Sequence, residues 1–324
     1  MKILLIQTAF IGDVILATPV IEALRKHRKD VVLDVLVRKG NEGLLENNPG
    51  INTILVWDKK NNKYKNFYHI IKQVRSNNYD IVINLQRFAS TGIITAFSKG
   101  KKTIGYDKNP LSFLFSERYP HIINVEGSKH EVDRNLSLLK NIIGEVRERP
   151  AMYPSTKEYA TTAPYKTSPY YCMAPSSVWF TKQLPFEQWV KLIKKKTSEE
   201  ASAKIYLLGA KNEADYIDRI ITAAGSDRAI NLAGKFSFLD TASLMRDAAM
   251  NYVNDSAPLH IASAMNAPVT AFFCSTVPGF GFGPLSDRSI IAQTTENLDC
   301  RPCGLHGHRE CPKGHFKCGF GIEI

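Results

Sequence analysis

Short apolar runs alternate with segments of helical apolar spacing through the first half of the chain. The runs at residues 3–6, 32–37, 52–57 and 80–85 are typical of buried strands. Helical spacing occupies residues 14–26, the region around 67–74 and residues 131–143. Because strands and helices alternate in βαβ units, we predict a mostly parallel sheet.

The same alternation begins again in the second half. Strands are predicted at residues 170–174, 204–208, 251–253 and 269–273, and helices at 186–195, 213–224, 239–248 and 258–265. Between the halves, the stretch from Arg149 to Ser168 is rich in Thr, Ala and Pro, which is typical of an interdomain linker. We therefore predict an α/β protein with two Rossmann-like, doubly wound domains, residues 1–155 and 156–324, facing each other across a crevice.

The net charge of +11 implies an anionic partner, which is a nucleic acid, a membrane lipid or a phosphorylated substrate. Basic residues are dense from Lys59 to Arg75, where no acid occurs and aromatic side chains are interleaved. This stretch is either a solvated face or a surface for an acceptor or a membrane, with Lys59, Lys60 and Lys63 as candidates. No nucleic-acid-binding motif occurs, so no nucleic-acid partner is predicted. No apolar run reaches the roughly 18 residues that span a bilayer.

The strongest local feature is the stretch NDSAPLHIASAMNAPVTAFF at residues 254–273. Asp255 or Ser256 is a good N-cap, and Pro258 is tolerated in the first turn of the helix that follows. The first amides of such a helix, together with its dipole, form a site for a diphosphate. Asp255 would cap the turn or bond a sugar hydroxyl, and His260 would donate to a phosphate oxygen. On spacing alone, a purely structural helix start is the alternative.

A second feature is the turn QTAFIGDV at residues 7–14, which joins the first strand to the first helix. Gly12 permits a close approach of the backbone, and a carboxylate at Asp13 could accept a proton from an attacking hydroxyl. The alternative is that Asp13 only caps the helix. The turn contains neither GxGxxG nor GxxxxGK[ST], which disfavours a nicotinamide dehydrogenase and excludes a P-loop kinase.

A third feature is the loop SSVWFTKQLP at residues 176–185, between a predicted strand and a helix. Ser176, Thr181 and Lys182 would lie at the rim of the same crevice. Lys182 could neutralise a departing diphosphate, or it could be an ordinary surface lysine.

Four cysteines lie near the end of the sequence: Cys300, Cys303, Cys311 and Cys318. A CxxC pair followed by two further cysteines suggests a structural zinc more readily than disulfides in a reducing compartment. Free or redox-active thiols are the alternative. Cys172 and Cys274 fall at strand ends and are predicted to be core residues.

Together these segments resemble the bacterial lipopolysaccharide heptosyltransferases, the ADP-heptose-dependent glycosyltransferase family 9 with the GT-B fold. The resemblance rests on MKILLIQTAFIGDVILATPVIEAL, TKQLP, LLGAKNE and NDSAPLHIASAMNAPVTAFFCSTVPGFGFGP, in that order, and it covers nearly the whole chain. It implies an inverting transfer of heptose from ADP-heptose to the lipopolysaccharide inner core, with no cofactor required.

The resemblance also implies roles for particular residues. Asp13 corresponds to the general base, Lys182 to the phosphate-binding lysine and Glu213 to the ribose-contacting acid. The sugar and phosphate block corresponds to Asp255, Ser256, Ala257 and His260. Where the family usually has Thr-Gly this chain has Ser256 and Ala257, and the added methyl group could narrow the approach to phosphate.

The implied partners are an ADP-heptose donor and a lipid-linked anionic saccharide acceptor, at the cytoplasmic face of the inner membrane with peripheral membrane contact. Gly12 and the lysines at 59, 60 and 63 are the candidate acceptor-binding residues. Two alternatives are kept. One is a GT-B transferase or epimerase that uses another nucleotide sugar, and the other is a non-catalytic scaffold that binds nucleotide or lipopolysaccharide.

Overall fold

A computed structural model describes residues 1–124, 127 and 129–324. The chain divides into two compact units. The first contains residues 1–123 and 129–153, and the second contains residues 154–324, with which Asn124 and Gly127 are grouped. The predicted boundary at 155/156 lies two residues beyond this division.

The first unit is a parallel sheet with helices in its crossovers. Its strands are β1 (Lys2–Ile6), β2 (Val32–Arg38), β3 (Thr53–Trp57), β4 (Ile81–Asn84), β5 (Lys102–Tyr106) and β6 (Glu117–Tyr119). Its helices are α1 (Ile11–Ile15), α2 (Thr18–His27), α3 (Lys63–Ser76), α4 (Ala89–Ala96), α5 (Glu131–Ser137) and α6 (Lys140–Ile143). The strand order is β3-β2-β1-β4-β5-β6, so the direction of winding reverses between β1 and β4.

The second unit repeats this topology. Its strands are β7 (Tyr170–Ala174), β8 (Lys204–Leu207), β9 (Ala229–Asn231), β10 (Met250–Asn254), β11 (Val269–Phe273) and β12 (Ser289–Gln293). Its helices are α7 (Thr156–Thr162), α8 (Phe186–Glu199), α9 (Ala214–Ala224), α10 (Phe238–Arg246), α11 (Ala257–Ala264) and α12 (Lys317–Phe320). The order is β12-β11-β10-β7-β8-β9, with the reversal between β7 and β10. The predicted α/β class with two doubly wound halves is confirmed.

Each unit has its own apolar core. In the first, Trp57 stacks on Phe67 with ring centroids 5.3 Å apart. In the second, the fully buried Trp189 meets Phe272 edge to face at 5.3 Å. Strands β1, β4, β7 and β10 are almost wholly buried, as expected where helices cover both faces of a parallel sheet. No helix in the described part of the chain is long and apolar enough to cross a membrane.

Three sequence-based element predictions were wrong in detail. The single helix at 14–26 is two helices, α1 and α2, and Pro19 stands at the start of the second, where a missing amide is harmless. The helix at 131–143 is likewise split into α5 and α6. The expected linker contains α7, which is capped because Ser155 accepts from the Lys157 amide while Glu158 accepts from the Ser155 amide.

Candidate active site

Asp13 is the third residue of α1, the short helix that follows β1 at the reversal point of the first sheet. Its Oδ2 accepts a hydrogen bond of 3.1 Å from the Phe10 amide, so the carboxylate caps its own helix and is held in one orientation. The side chain is half-buried. Burial, together with the negative charge of Glu131, raises the pKa of Asp13 to about 6. A carboxylate with this pKa is ionised at neutral pH and is a better proton acceptor than an ordinary aspartate.

Lys59 is bonded to the turn at residues 7–14 and is not part of a solvated basic face. Its Nζ donates to the Thr8 carbonyl at 3.0 Å and to the Thr8 hydroxyl at 2.9 Å, and it lies 4.5 Å from the centre of the Trp57 ring. Burial, and then the charge of Arg38, lowers the pKa of Lys59 to about 8. The structure does not favour Lys59 as a direct acceptor-binding residue, because its ammonium is already engaged by Thr8.

Lys60 and Lys63 are exposed, so they are free to meet an anionic partner. Gly12 lies inside α1, one residue before Asp13. These placements leave the predicted acceptor roles of all three residues as predictions.

In the second unit, the loops after β7 and β10 meet at the reversal point of the sheet. Lys182 Nζ lies 2.7 Å from Asp255 Oδ2, and both side chains are largely buried. The Thr276 hydroxyl donates to the same Asp255 oxygen at 2.6 Å. This pairing was not predicted from the sequence, in which Lys182 and Asp255 are widely separated. Asp255 therefore orients the lysine instead of capping the helix.

Helix α11 begins next to this ion pair. Ser256 occupies the N-cap position, as predicted, but its side chain makes no capping hydrogen bond and lies 3.5 Å from the Asn254 carbonyl oxygen. Ala257 is the first residue of the helix, and His260 is buried in it. The helix start thus combines an end without a side-chain cap, a positive dipole and a neighbouring lysine, which together favour an anion.

The remaining candidates for donor binding occupy different environments. Thr181 is buried, and its hydroxyl accepts from the His308 amide at 2.7 Å and from the Ser275 hydroxyl at 3.0 Å. These bonds give the hydroxyl a structural role, and the predicted contact with the donor stays a prediction. Ser176 is half-buried just beyond the end of β7. Glu213 stands before α9, where Oε2 accepts from the Ala210 amide at 2.7 Å.

The cysteines at the end of the chain are all free thiols. Burial raises the pKa of Cys303 and of Cys318, and neighbouring cysteines of the same group add to both shifts. Cys300 Sγ lies 3.8 Å from His315 Nε2. No group of three or more His, Cys, Asp or Glu side chains among the described residues is arranged to hold a metal ion. The zinc site at these four cysteines stays a prediction. Cys172 and Cys274 are buried core residues, as predicted.

Comparison with known proteins agrees with this arrangement. The family model of glycosyltransferase family 9 (heptosyltransferase) matches residues 67–313. The lipopolysaccharide heptosyltransferase 3 of Escherichia coli is 27% identical over 278 residues, 82% of each chain. E. coli ADP-heptose lps heptosyltransferase II superposes with a TM-score of 0.78 at 19% identity, covering 94% of this chain and 96% of that one. E. coli heptosyltransferase WaaC with ADP gives a TM-score of 0.75 at 18% identity, covering 90% and 93%.

The two doubly wound parallel sheets, each with a reversal of winding, give the chain the GT-B fold. The chain belongs to glycosyltransferase family 9, the heptosyltransferases. The expected enzyme class is confirmed, and a non-catalytic scaffold is not favoured.

Proposed function

We propose that this protein transfers heptose from ADP-heptose to a saccharide of the lipopolysaccharide inner core, with inversion and without a metal ion. The acceptor oxygen bonds to the anomeric carbon while the bond from that carbon to the ADP oxygen breaks. The electron pair leaves with ADP, and the proton of the acceptor hydroxyl passes to Asp13. Lys182 and the start of α11 receive the charge that develops on ADP.

The proposal rests mainly on the position, hydrogen bonding and raised pKa of Asp13. Its carboxylate is half-buried, fixed by the Phe10 amide, and raised in pKa to about 6 at the reversal point of the first sheet. Ligands of open α/β sheets bind at such points, and a general base works best with a pKa near the operating pH. Perturbed pKa values cluster at functional sites, so the raised pKa supports a proton-accepting role in addition to the helix cap.

The donor assignment is supported by the ion pair of Lys182 with Asp255 beside the start of α11. Because Asp255 offsets the charge of Lys182, the lysine would offer N–H donors to the diphosphate, and the helix N-terminus would supply positive potential beside it. No DxD pair occurs in the sequence, so the protein lacks the usual carboxylate clamp for a metal-bound diphosphate. EDTA is therefore expected to leave the initial rate unchanged. A rate that fell with EDTA and recovered with a divalent cation would contradict metal independence.

An anionic acceptor on a lipid is supported by the exposed face of α3. Tyr64 and Tyr68 on this helix are 83% and 64% exposed, while Ile70 and Val74 turn inward. Lysines flank the two tyrosines, and no acid occurs between residues 59 and 75. We propose that this face meets the membrane surface that carries the acceptor, because aromatic rings and lysines together suit an anionic interface.

The test is release of ADP from ADP-heptose in the presence of a heptose-free inner-core acceptor. Wild-type protein should form one saccharide product with inverted configuration, and Asp13→Asn should lose about a hundred-fold or more in kcat while still binding ADP. Asp30→Asn is the matched control, since Asp30 is an exposed acid of the same unit whose carboxylate pairs with Arg28.

Two outcomes would contradict the proposal. Full activity of Asp13→Asn would show that Asp13 is not the general base. Stabilisation of the protein by a UDP- or GDP-sugar but not by ADP-heptose, in a thermal-shift comparison, would favour the alternative of a transferase or epimerase with another donor.

A further inference from the structure

The segment Cys300–His308 is hydrogen-bonded to the loops that carry Lys182 and Thr276, beside the ion pair of Lys182 with Asp255. The His308 amide donates to the Thr181 hydroxyl at 2.7 Å, and the Thr181 amide donates back to the His308 carbonyl at 3.1 Å. The Cys303 amide donates to the Ser275 carbonyl at 2.8 Å. The segment therefore touches the residues that immediately precede Lys182 and Thr276.

The Arg301 side chain connects the same segment to the end of β11 by hydrogen bonds. Its Nε donates to the Cys274 carbonyl at 2.7 Å, and one terminal nitrogen donates to the carbonyls of Phe273 at 3.1 Å and Thr276 at 2.9 Å. Thr276 is the residue whose hydroxyl holds Asp255. One guanidinium thus fixes the backbone that orients the acid partner of Lys182.

Gly307 shows how closely the segment approaches Lys182. A methyl group at this position would lie 2.8 Å from Thr181 Oγ1, 3.1 Å from Lys182 Cγ and 3.2 Å from Ser275 Oγ. Because the Thr181 hydroxyl is buried and already bonded to two partners, it has no room to withdraw. Only glycine permits this contact.

We infer that the segment Cys300–His308 is a wall of the donor-phosphate site, and that Gly307 and Arg301 are positioning residues for Lys182 and Asp255. The inference rests on the proposed function, since it assigns the Lys182 pair to the donor diphosphate. In this role the segment Cys300–His308 determines the position of the Lys182 ammonium. The role requires neither a metal ion nor a disulfide.

The chain offers a matched control for Gly307. Gly304 has a φ of +71° and Gly307 a φ of +74°, but a methyl group at Gly304 would have no atom within 4 Å. Alanine at either position imposes the same left-handed backbone strain, and alanine at 307 alone meets Thr181 and Lys182. Any difference in ADP affinity between the two variants is therefore caused by the contact of the methyl group at 307 and not by backbone strain.

The experiment measures ADP affinity by calorimetry for wild type, Gly307→Ala, Gly304→Ala and Lys182→Met, with melting temperatures recorded in parallel. We expect Gly307→Ala to weaken ADP binding by about ten-fold and Gly304→Ala by less than about two-fold. Gly307→Ala should also melt at a lower temperature than Gly304→Ala, because its methyl group meets buried atoms. In the double variant Gly307→Ala/Lys182→Met, the alanine should add nothing, because the group it displaces is gone.

The possible results separate the inference from the proposed function. If Lys182→Met weakens ADP binding and Gly307→Ala behaves like Gly304→Ala, the inference fails and the donor site stands. If Lys182→Met leaves ADP affinity unchanged, the assignment of the donor site itself fails. If the effects of Gly307→Ala and Lys182→Met are additive, the glycine acts elsewhere and the inference is overturned.

Discussion

Lys182 and Asp255 form an ion pair of 2.7 Å across the point where the second sheet reverses its winding. The two residues follow different strands, β7 and β10, which are neighbours in the sheet. A lysine held this way is placed in advance and loses little side-chain freedom when an anion arrives. In the proposed donor site, Asp255 would act through the lysine, and the Thr276 hydroxyl donates to the Asp255 carboxylate in turn.

Removing this lysine should affect both binding and stability. We expect Lys182→Met to weaken ADP binding by about ten-fold or more, because the diphosphate loses its cationic partner. It should also cost about 1–3 kcal/mol of unfolding free energy, because Asp255 is left buried with Thr276 as its remaining side-chain partner. Lys194→Met is the control, since Lys194 is an exposed lysine of α8. A Lys182→Met protein with wild-type ADP affinity would contradict the assignment.

The pKa of Asp13 sets the acid limb of the pH profile. With a pKa of about 6, kcat/KM should fall as pH drops below about 6, by ten-fold per unit, because the base becomes protonated. The residual activity of Asp13→Asn should lack this limb. Initial rates from pH 5 to 8 at low donor concentration check the prediction. A profile that stays flat down to pH 5 would show that burial does not tune this carboxylate.

The same pKa has a consequence for stability. A folded-state pKa raised above the ordinary value of 3.8 means that the native protein binds a proton the unfolded chain has released, between about pH 4 and pH 6. Native stability therefore declines as pH rises through that window and stays lower above it. Asp13→Asn removes the penalty, so it should stabilise the protein at pH 7.5 by up to about 2 kcal/mol and have no such effect at pH 4. Denaturant titrations at pH 7.5 and pH 4 measure the unfolding free energies of wild type and Asp13→Asn. The prediction is wrong if the difference between the two proteins is the same at both pH values.

Lys59 should matter for catalysis although it lies among residues that look like a solvated basic surface. Lys59→Met removes two hydrogen bonds to Thr8, which belongs to the same turn as Asp13, so kcat should fall several-fold. Lys29→Met is the control, because Lys29 is an exposed lysine of the same unit with no predicted role in the site. Initial rates at saturating substrate, with melting curves alongside, decide the matter. Equal effects of the two changes on kcat would place Lys59 with the surface lysines.

The sequence was sufficient for the strands of both units that carry a continuous apolar run, and residues 170–174 and 269–273 were predicted to the residue. It was not sufficient for β9 and β12. The first has only three residues, and the second is mostly exposed at the edge of its sheet, so neither carries a strong apolar pattern. Helix α7 was hidden because Thr, Ala and Pro suggest a linker, whereas its capping box is a local signal that was available at Ser155 and Glu158.

For the site, the turn at Asp13 and the helix start at Ser256 could be predicted because both are local patterns. The pairing of Lys182 with Asp255 could not be, since it depends on which strands become neighbours, and spacing along the chain does not reveal that. The contact of Gly307 with Thr181 likewise joins distant parts of the chain. The interior hydrogen bonds of the Thr181 hydroxyl were not foreseen either, because they also join distant parts of the chain, and the predicted contact of Thr181 with the donor stays a prediction.

The exposed face of α3 predicts selective binding to anionic lipid. Wild-type protein should sediment with vesicles that contain phosphatidylglycerol and not with pure phosphatidylcholine vesicles. Lys65→Glu/Lys72→Glu should weaken the binding by at least about five-fold per lysine. Lys194→Glu/Lys195→Glu makes the same change of net charge on the exposed face of α8 and should bind almost as well as wild type.

Tyr64→Ser tests the aromatic contribution separately, because it changes no charge and removes a ring that is 83% exposed. It should weaken binding without altering the melting temperature, since the ring packs against little of the protein. Equal losses in the two double variants would mean that only net charge matters, and the assignment of α3 to the membrane surface would be wrong.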